Sequence, residues 1–543
     1  MRSTLMYLPA ILLLFLISCT SPNPVVPSSP SVTLTGRITY DRVKIEIIDN
    51  STFGLDYVGK QKLPVRETSI QLLDVSGNQI VEGFTDTEGN YALVFPANGP
   101  VKLRVKAVTK SPVVKILDNT SLNAIYALDS EVFTPDGKPF DMNAGCGWEG
   151  SNTAGSYTKS RSAAPFAILD TLYTEERAFL ASRPSIIFDD LNVYWSPKND
   201  SADGAKESGH IGTSKYSHNG IDDGIYVLGK ADSDTDEFDD HVIAHEWGHY
   251  FEDKQSRGDS IGGSHGYSDL LDARLAFGEG WGNALSGIVL SDQYYLDTTG
   301  DRQQTAGNYM NLETDPDTPA GFFSETSVQQ ILYDIWDNHD EGSETDGVHV
   351  DLGIIYDVMH GPQKSTSALT TIYSFLAALK PKVLADDWTK IDTLAKARFI
   401  TCVDEWGTSQ LFDVNPSQTQ TTKDQLIYID GNGTSPFSVN VKFVGLSEAS
   451  NNKLVQNRFV RIKGTGSSVS VTASRSSSDS SPTSIPIMMN VWQSGQFVAW
   501  SDPDVTLPKT MTFPSELNLD YVLTLQDRSQ TGSLETITLE ITK

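Results

Sequence analysis

The chain has 543 residues, of which 41 are basic and 70 acidic, giving a formal net charge of −29. An acid excess of that size argues against nucleic acid or an anionic membrane face as partner, and for a solvated surface. The length leaves room for about three domains, each with its own core.

At the N-terminus a basic Arg2 precedes an apolar run from Leu5 to Ile17, too short to cross a bilayer comfortably. The run closes on Leu16-Ile17-Ser18-Cys19, which resembles the lipobox of bacterial lipoprotein signals. That resemblance implies a signal peptide over 1–19 and lipid attachment at Cys19. The protein would then be exported and held at the cell envelope or surface, or released from it, touching membrane through the lipid alone. An ordinary secretory signal with an incidental cysteine is the alternative. Residues 20–31 are rich in Pro and Ser and read as a linker.

Residues 32–111 read as strands. Val101, Leu103 and Val105 alternate with Lys102, Arg104 and Lys106, and Tyr91 to Phe95 reads as a buried strand. Turns fall at Ser76-Gly77-Asn78 and Glu88-Gly89-Asn90. Thr85 to Tyr91 (TDTEGNY) resembles the carboxypeptidase-regulatory-like β-sandwich, which implies a separate small sandwich over 32–111, more simply a spacer than a ligand-binding module. The segment 112–435 is then the catalytic region. Within it, Asp232, Asp234 and Asp236 alternate oxygen ligands in a way that suits calcium, although solvated carboxylates before a helix explain them equally well.

His245-Glu246-Trp247-Gly248-His249 matches H-E-x-x-H. Positions i and i+4 stand one turn apart on one helix face, so both imidazoles can reach one ion. Glu246 is rotated about 100° away and can lean over an open coordination position as a general base. Thirty residues on, Glu279 and Asn283 share a face of a second apolar helical pattern, whose Gly278, Gly280 and Gly282 would let two helices approach closely. Two histidines and one glutamate leave a position free on zinc, the arrangement of a hydrolytic site.

On these residues the chain resembles the thermolysin-like gluzincin zinc peptidases. GEGWGN (Gly278–Asn283) is close to the GEGWSD of the fungalysin branch, and Asp346 to Ile355 (DGVHVDLGII) resembles the segment that carries the family's transition-state histidine. The resemblance implies an α+β metalloprotease core with His245, His249 and Glu279 as zinc ligands and Glu246 as base. It further implies His349 as the donor to the developing oxyanion and Asn283 supporting a ligand imidazole, with Tyr267 the one candidate for an assisting tyrosine; of Glu344 and Asp346, which both closely precede His349, Glu344 is the choice for the carboxylate that orients it. It also implies that the strand Ile225 to Gly229 edges the cleft and pairs with extended substrate. Apolar helical patterns at Val328–Trp336 and Leu369–Leu379 would complete the lobe behind the cleft.

Residues 436–543 alternate again, at Val439, Val441 and Phe443 and at Ile537, Leu539 and Ile541, and predict a C-terminal β-sandwich. The fold class expected is therefore multidomain, with an α+β core flanked by two small sandwiches. Cys146 and Cys402 could form one disulfide in an exported protein, or stay as buried thiols. The function expected is hydrolysis of protein or peptide substrates at internal bonds, with zinc as cofactor. Its rivals are an aminopeptidase on the same scaffold and a surface-anchored binding or adhesion lipoprotein with a degenerate core.

Overall fold

The structure is a computed structural model. It describes residues 31–49, 52–96, 99–218, 220, 222–316, 319–338, 347–410, 427–444, 452–454, 456–475, 487–501, 507–528 and 534–543. The signal peptide, Cys19, the linker up to residue 30 and Glu344 lie outside the described residues. The architecture is multidomain α+β, with β-sheets at the N-terminal end, a helical and mixed centre, and β-sheets at the C-terminal end.

The N-terminal strands alternate as the sequence predicts. β1 (Ser31–Asp49) pairs with β2 (Thr52–Pro64) and β3 (Asn90–Pro96), and β4 (Val101–Thr109) buries Val101, Leu103 and Val105 on one side. Periodicity does not reveal what a strand pairs with. β4 runs on into β5 (Val114–Asp118), and the two belong to one nine-stranded sheet that also contains Leu191–Trp195, Gly224–Val227 and Lys215–Ser217. The boundary expected at 111 therefore falls between two paired strands. Residues 32–111 share one apolar core with the helical region, reaching from Leu34 and Leu103 to Phe166, Trp247 and Phe375. The physical reason is the helix α1 (Ala164–Ser182): it lays Phe166, Ile168 and Phe179 into that core, so the N-terminal strands have no need of a sandwich partner of their own.

The strand expected to edge the cleft is covered. Ile225 and Tyr226 pair with Leu191–Trp195 on one side and with β6 (Lys215–Ser217) on the other, so β6 is the edge. The predicted helical patterns appear as Glu325–Trp336 and Ile372–Leu379.

The C-terminal strands form a five-stranded and a four-stranded sheet enclosing a separate core of Val441, Phe443, Leu523, Ile537, Leu539 and Ile541. The five-stranded sheet begins at Tyr428–Asp430, ahead of the boundary expected at 436, because that short strand runs parallel to Asn457–Lys463. This unit docks on the chain leading into the second site helix: Leu454 N–H donates to the Leu270 carbonyl, and Lys453 Nζ lies 2.6 Å from Asp269.

Cys146 and Cys402 form no bridge. Each is buried in its own surroundings, Cys146 Sγ 3.7 Å from Lys60 Nζ and Cys402 donating to the Tyr373 carbonyl at 3.4 Å.

Candidate active site

α2 (Asp240–Gln255) opens with Asp240 in its first turn and ends with Lys254 in its last, charges that complement the helix dipole. Trp247 and Phe251 turn one flank toward Phe179 of α1, which leaves His245, Glu246 and His249 for the cleft. α3 (Ala273–Leu290) is capped by Asp272, whose side chain accepts from Arg274 N–H. The two helices touch through glycine. A methyl group at Gly248 would stand 3.0 Å from Gly282 Cα, and one at Gly282 would press on the His245 ring at 2.9 Å. Trp281 Nε1 donates to the Gly248 carbonyl at 3.1 Å and locks the contact.

That approach brings three ligand atoms together. His245 Nε2 and His249 Nε2 are 3.0 Å apart, and Glu279 Oε2 is 3.3 Å from the first and 3.6 Å from the second. Zinc bonds of roughly 2.0–2.1 Å at tetrahedral angles separate ligand atoms by about 3.3 Å. The donor set and its spacing thus fit zinc. Asn283 Oδ1 lies 2.8 Å from His245 Nδ1, while its Nδ2 donates to Gln329 Oε1 at 2.9 Å. Gln329 thereby fixes the amide so that its oxygen faces the ring. Nδ1 then carries the proton, and Nε2 keeps a lone pair for the ion. Burial disfavours the charge of Glu279, but His249 and His245 outweigh it and hold its carboxyl well below the usual range.

Glu246 sits beside this triangle, outside it. Its Oε2 accepts from the backbone N–H of Tyr216 in β6 at 2.6 Å, so the sheet edge positions the carboxylate. Burial raises its proton affinity, against the pull of His245 and His249. All four residues line an open cleft of about 1080 Å³.

The cleft also holds a histidine that the motifs did not single out. His265 Nε2 is 3.5 Å from Glu279 Oε2 and 3.1 Å from Glu325 Oε2, and its Nδ1 is 3.0 Å from the Gly263 carbonyl. Burial opposes its charge, yet Glu325 and Glu279 carry its pKa up to about 9. Tyr267 lines the same cleft.

His349 is not among the residues that line this cleft. It is exposed, and its Nδ1 lies 2.5 Å from the carbonyl of Trp336, the last residue of α4 (Glu325–Trp336). Glu325, at the other end, lines the cleft, and eleven residues of helix put about 16 Å between the two ends. The cause is local alternation: Val348 and Val350 are buried, so His349 points the other way. The residue expected to orient it, Glu344, is among those not described.

The acidic stretch is also rearranged. Asp234 and Asp236 gather with Asp297, from the hairpin strand Tyr294–Thr299, and not with Asp232, which accepts from Arg302 N–H at 3.1 Å. Asp232 has a positive φ of 57°, which turns its side chain out of the alternation the sequence suggests.

Residues 188–384 match the Mycolysin C-terminal domain, a domain of a thermolysin-like metalloprotease family. The match spans α2, α3 and α4 and every cleft residue named above. No curated protein matches the chain. Among solved structures, a periplasmic inhibitor of g-type lysozyme from Aeromonas hydrophila aligns at 12% identity over 21% of this chain and 94% of its own, with a TM-score of 0.15. The surface-associated copper-binding protein CorA of Methylomicrobium album BG8 aligns at 10% over 21% and 96%, with a TM-score of 0.16. The pre-peptidase C-terminal domain of a Bacillus anthracis collagenase aligns at 7% over 21% and 91%, with a TM-score of 0.15. Likenesses of that size carry no argument about this chain.

Proposed function

We propose that the chain is an exported, zinc-dependent metalloendopeptidase of the gluzincin type. The observation that carries this reading is the His245–His249–Glu279 triangle, spaced like three corners of a zinc tetrahedron. The metalloprotease family domain over the same residues supports it. Zinc held there would supply Lewis acidity, polarising the scissile carbonyl and easing the ionisation of water near neutral pH.

The chain's own groups supply the rest. Glu246 takes the proton from the attacking water and passes it to the leaving amine, a transfer its buried, proton-retaining carboxylate suits. We assign to His265, on the cleft wall, the role that resemblance gives His349; its Nε2–H, which faces Glu325 here, would have to turn to the oxyanion when substrate binds. A donor aimed at developing negative charge is usually a large catalytic contribution. Extended substrate would pair with the free edge of β6, beside the point where Tyr216 holds Glu246.

A binding protein with a degenerate core would have no use for the N–H bond that positions Glu246, and the open cleft offers extended chain more than a closed amine pocket. Export through lipid on Cys19 belongs to the same proposal and rests on the sequence of the leader alone. The test is hydrolysis of internally quenched peptides, with and without a zinc chelator, alongside Glu246→Gln. Internal cleavage should be chelator-sensitive and lost in the variant with zinc retained. Near-normal turnover by Glu246→Gln, or silence from a chain shown to hold one zinc, would overturn the reading.

A further inference from the structure

We infer that Asn452, from the C-terminal unit, is a positioning residue of the active site: its amide clamps the loop that carries His265, so the C-terminal strands help to build the cleft. The inference rests on the role assigned above to His265. Residues 257–270, between α2 and α3, form no helix or strand, yet Gly258 and Ser260 to Tyr267 line the cleft. A segment with no backbone ladder of its own opens easily. Whatever grips it from outside therefore decides where His265 stands.

Asn452 supplies the grip. It is 3% exposed, and its Nδ2 donates to the Gly262 carbonyl and to the Ser264 carbonyl, each at 3.1 Å. Carbonyls only accept, so the two together fix which way the amide faces. The carbonyl between them, that of Gly263, faces His265 Nδ1 at 3.0 Å. The imidazole thus hangs from backbone that Asn452 holds on both sides. Gly262 and Gly263 have φ of 60° and 100°, and a methyl group at Gly263 would stand 3.0 Å from Asn452 Nδ2. The adjoining residue extends the hold: Lys453 Nζ lies 2.6 Å from Asp269 Oδ2, the oxygen that also accepts from Gly266 N–H at 2.8 Å. The Asn452 carbonyl accepts from the N–H of Asp272, the cap of α3, at 2.8 Å. One short segment therefore fixes both the His265 loop and the start of the helix that carries Glu279.

The clamp is itself anchored. It lies between Phe437–Val444 of one C-terminal sheet and Asn457–Lys463 of the other. Leu454, Phe459 and Val522 of this unit are buried in the same core as Trp247 and Trp281 of the site helices. A second contact reaches the other end of the loop. Gly495, between the strands Ile487–Gln493 and Gln496–Ser501, lies against the Arg257 side chain with no room for a methyl group. Arg257 in turn donates to the carbonyls of Thr366 and Ala368, at 2.8 Å and 2.6 Å.

The experiment compares the zinc-loaded full-length protein with Asn452→Leu, which keeps the volume and removes both donors, and Asn452→Asp, which keeps the shape and sets an acceptor against two carbonyls. Hydrogen exchange read by mass spectrometry should quicken at least tenfold over residues 257–269 and stay unchanged in α2. Steady-state kinetics should show kcat lowered about 10- to 100-fold, with zinc content and KM little changed. In a His265→Gln background the same substitutions should lower kcat by less than a further twofold, because the group they position is already gone. A wild-type loop that exchanges at the free-chain rate, or as fast as in both variants, overturns the clamp. Losses in kcat that multiply with that of His265→Gln overturn its action through His265. Should Asn452→Leu fail to fold, Asn452→Asp carries the same comparisons. Absence of hydrolysis by wild type overturns the proposed function and with it any catalytic part for Asn452, whereas unchanged exchange with hydrolysis intact overturns the clamp alone.

Discussion

Consider Asn283→Leu, which keeps the volume at that position and removes the acceptor facing His245. Both residues are buried, so in the variant the Nδ1–H of His245 meets no water and no carbonyl. Leaving a buried donor unsatisfied costs about 1–3 kcal/mol. The ring recovers part of that by turning or shifting its proton to Nε2, and either response removes the lone pair that zinc needs. Loss of a group that orients a metal-bound histidine typically weakens affinity 10- to 100-fold, about 1.4–2.7 kcal/mol. The two figures agree because they describe the same hydrogen bond from opposite ends. Competition for zinc against a colorimetric chelator at fixed pH would measure the change, with a melt of the metal-free protein as control for folding. Asn283→Asp keeps the acceptor and adds charge, and should bind zinc at least as tightly as wild type. A folded Asn283→Leu protein with zinc affinity within twofold of wild type would refute the reasoning that Asn283 sets the proton on His245.

Two further outcomes follow from the same geometry. His265→Gln should lower kcat by about 10²–10³ with zinc content and KM little changed, while His349→Gln should keep activity within a few-fold; steady-state kinetics giving the reverse order would return the donor role to His349. Glu176 is buried, and burial pushes its carboxyl up to about 8, with Arg177 opposing and Glu67 reinforcing. Because that folded value lies above the unfolded one near 4.3, the folded chain holds the proton more tightly, and stability falls as pH rises from about 4.3 to 8. Glu176→Gln should therefore raise the melting temperature at pH 8, by an amount reflecting up to a few kcal/mol, and make no difference near pH 4; an equal effect at both pH values would count against this account.

Much of the site was legible because its logic is local. His245, Glu246 and His249 are placed by one helical turn, and Glu279 and Asn283 by another, so residue spacing alone puts each set on one face. The glycines that bring the two helices together were legible as small, and Gly248 and Gly282 are the pair that meets. The strands of the N-terminal and C-terminal regions were legible through alternation, as at Val101 to Val105 and Ile537 to Ile541. What alternation leaves open is the neighbour. Nothing within 32–111 says that β4 will pair onward with β5, or that α1 will cover the sheet, since those contacts are made by residues beyond the segment.

His265 and His349 show the same limit at the level of single side chains. The segment around His349 carries an N-cap: Asp351 accepts from Gly353 N–H at 2.8 Å and starts a helix. Yet Val348 and Val350 are drawn into the core, and a period of two forces the histidine between them outward. His265 has no periodic context. It follows Gly262 and Gly263, both at positive φ, where the backbone turns in ways that side-chain patterns do not encode. Its partner Glu325 is sixty residues away, at the start of α4. The Asp234, Asp236 and Asp297 group arises in the same way, from two neighbours and one distant strand residue. Sequence spacing therefore groups side chains that share a helix, whereas clusters assembled across a cleft emerge only once the pairing of distant elements is known.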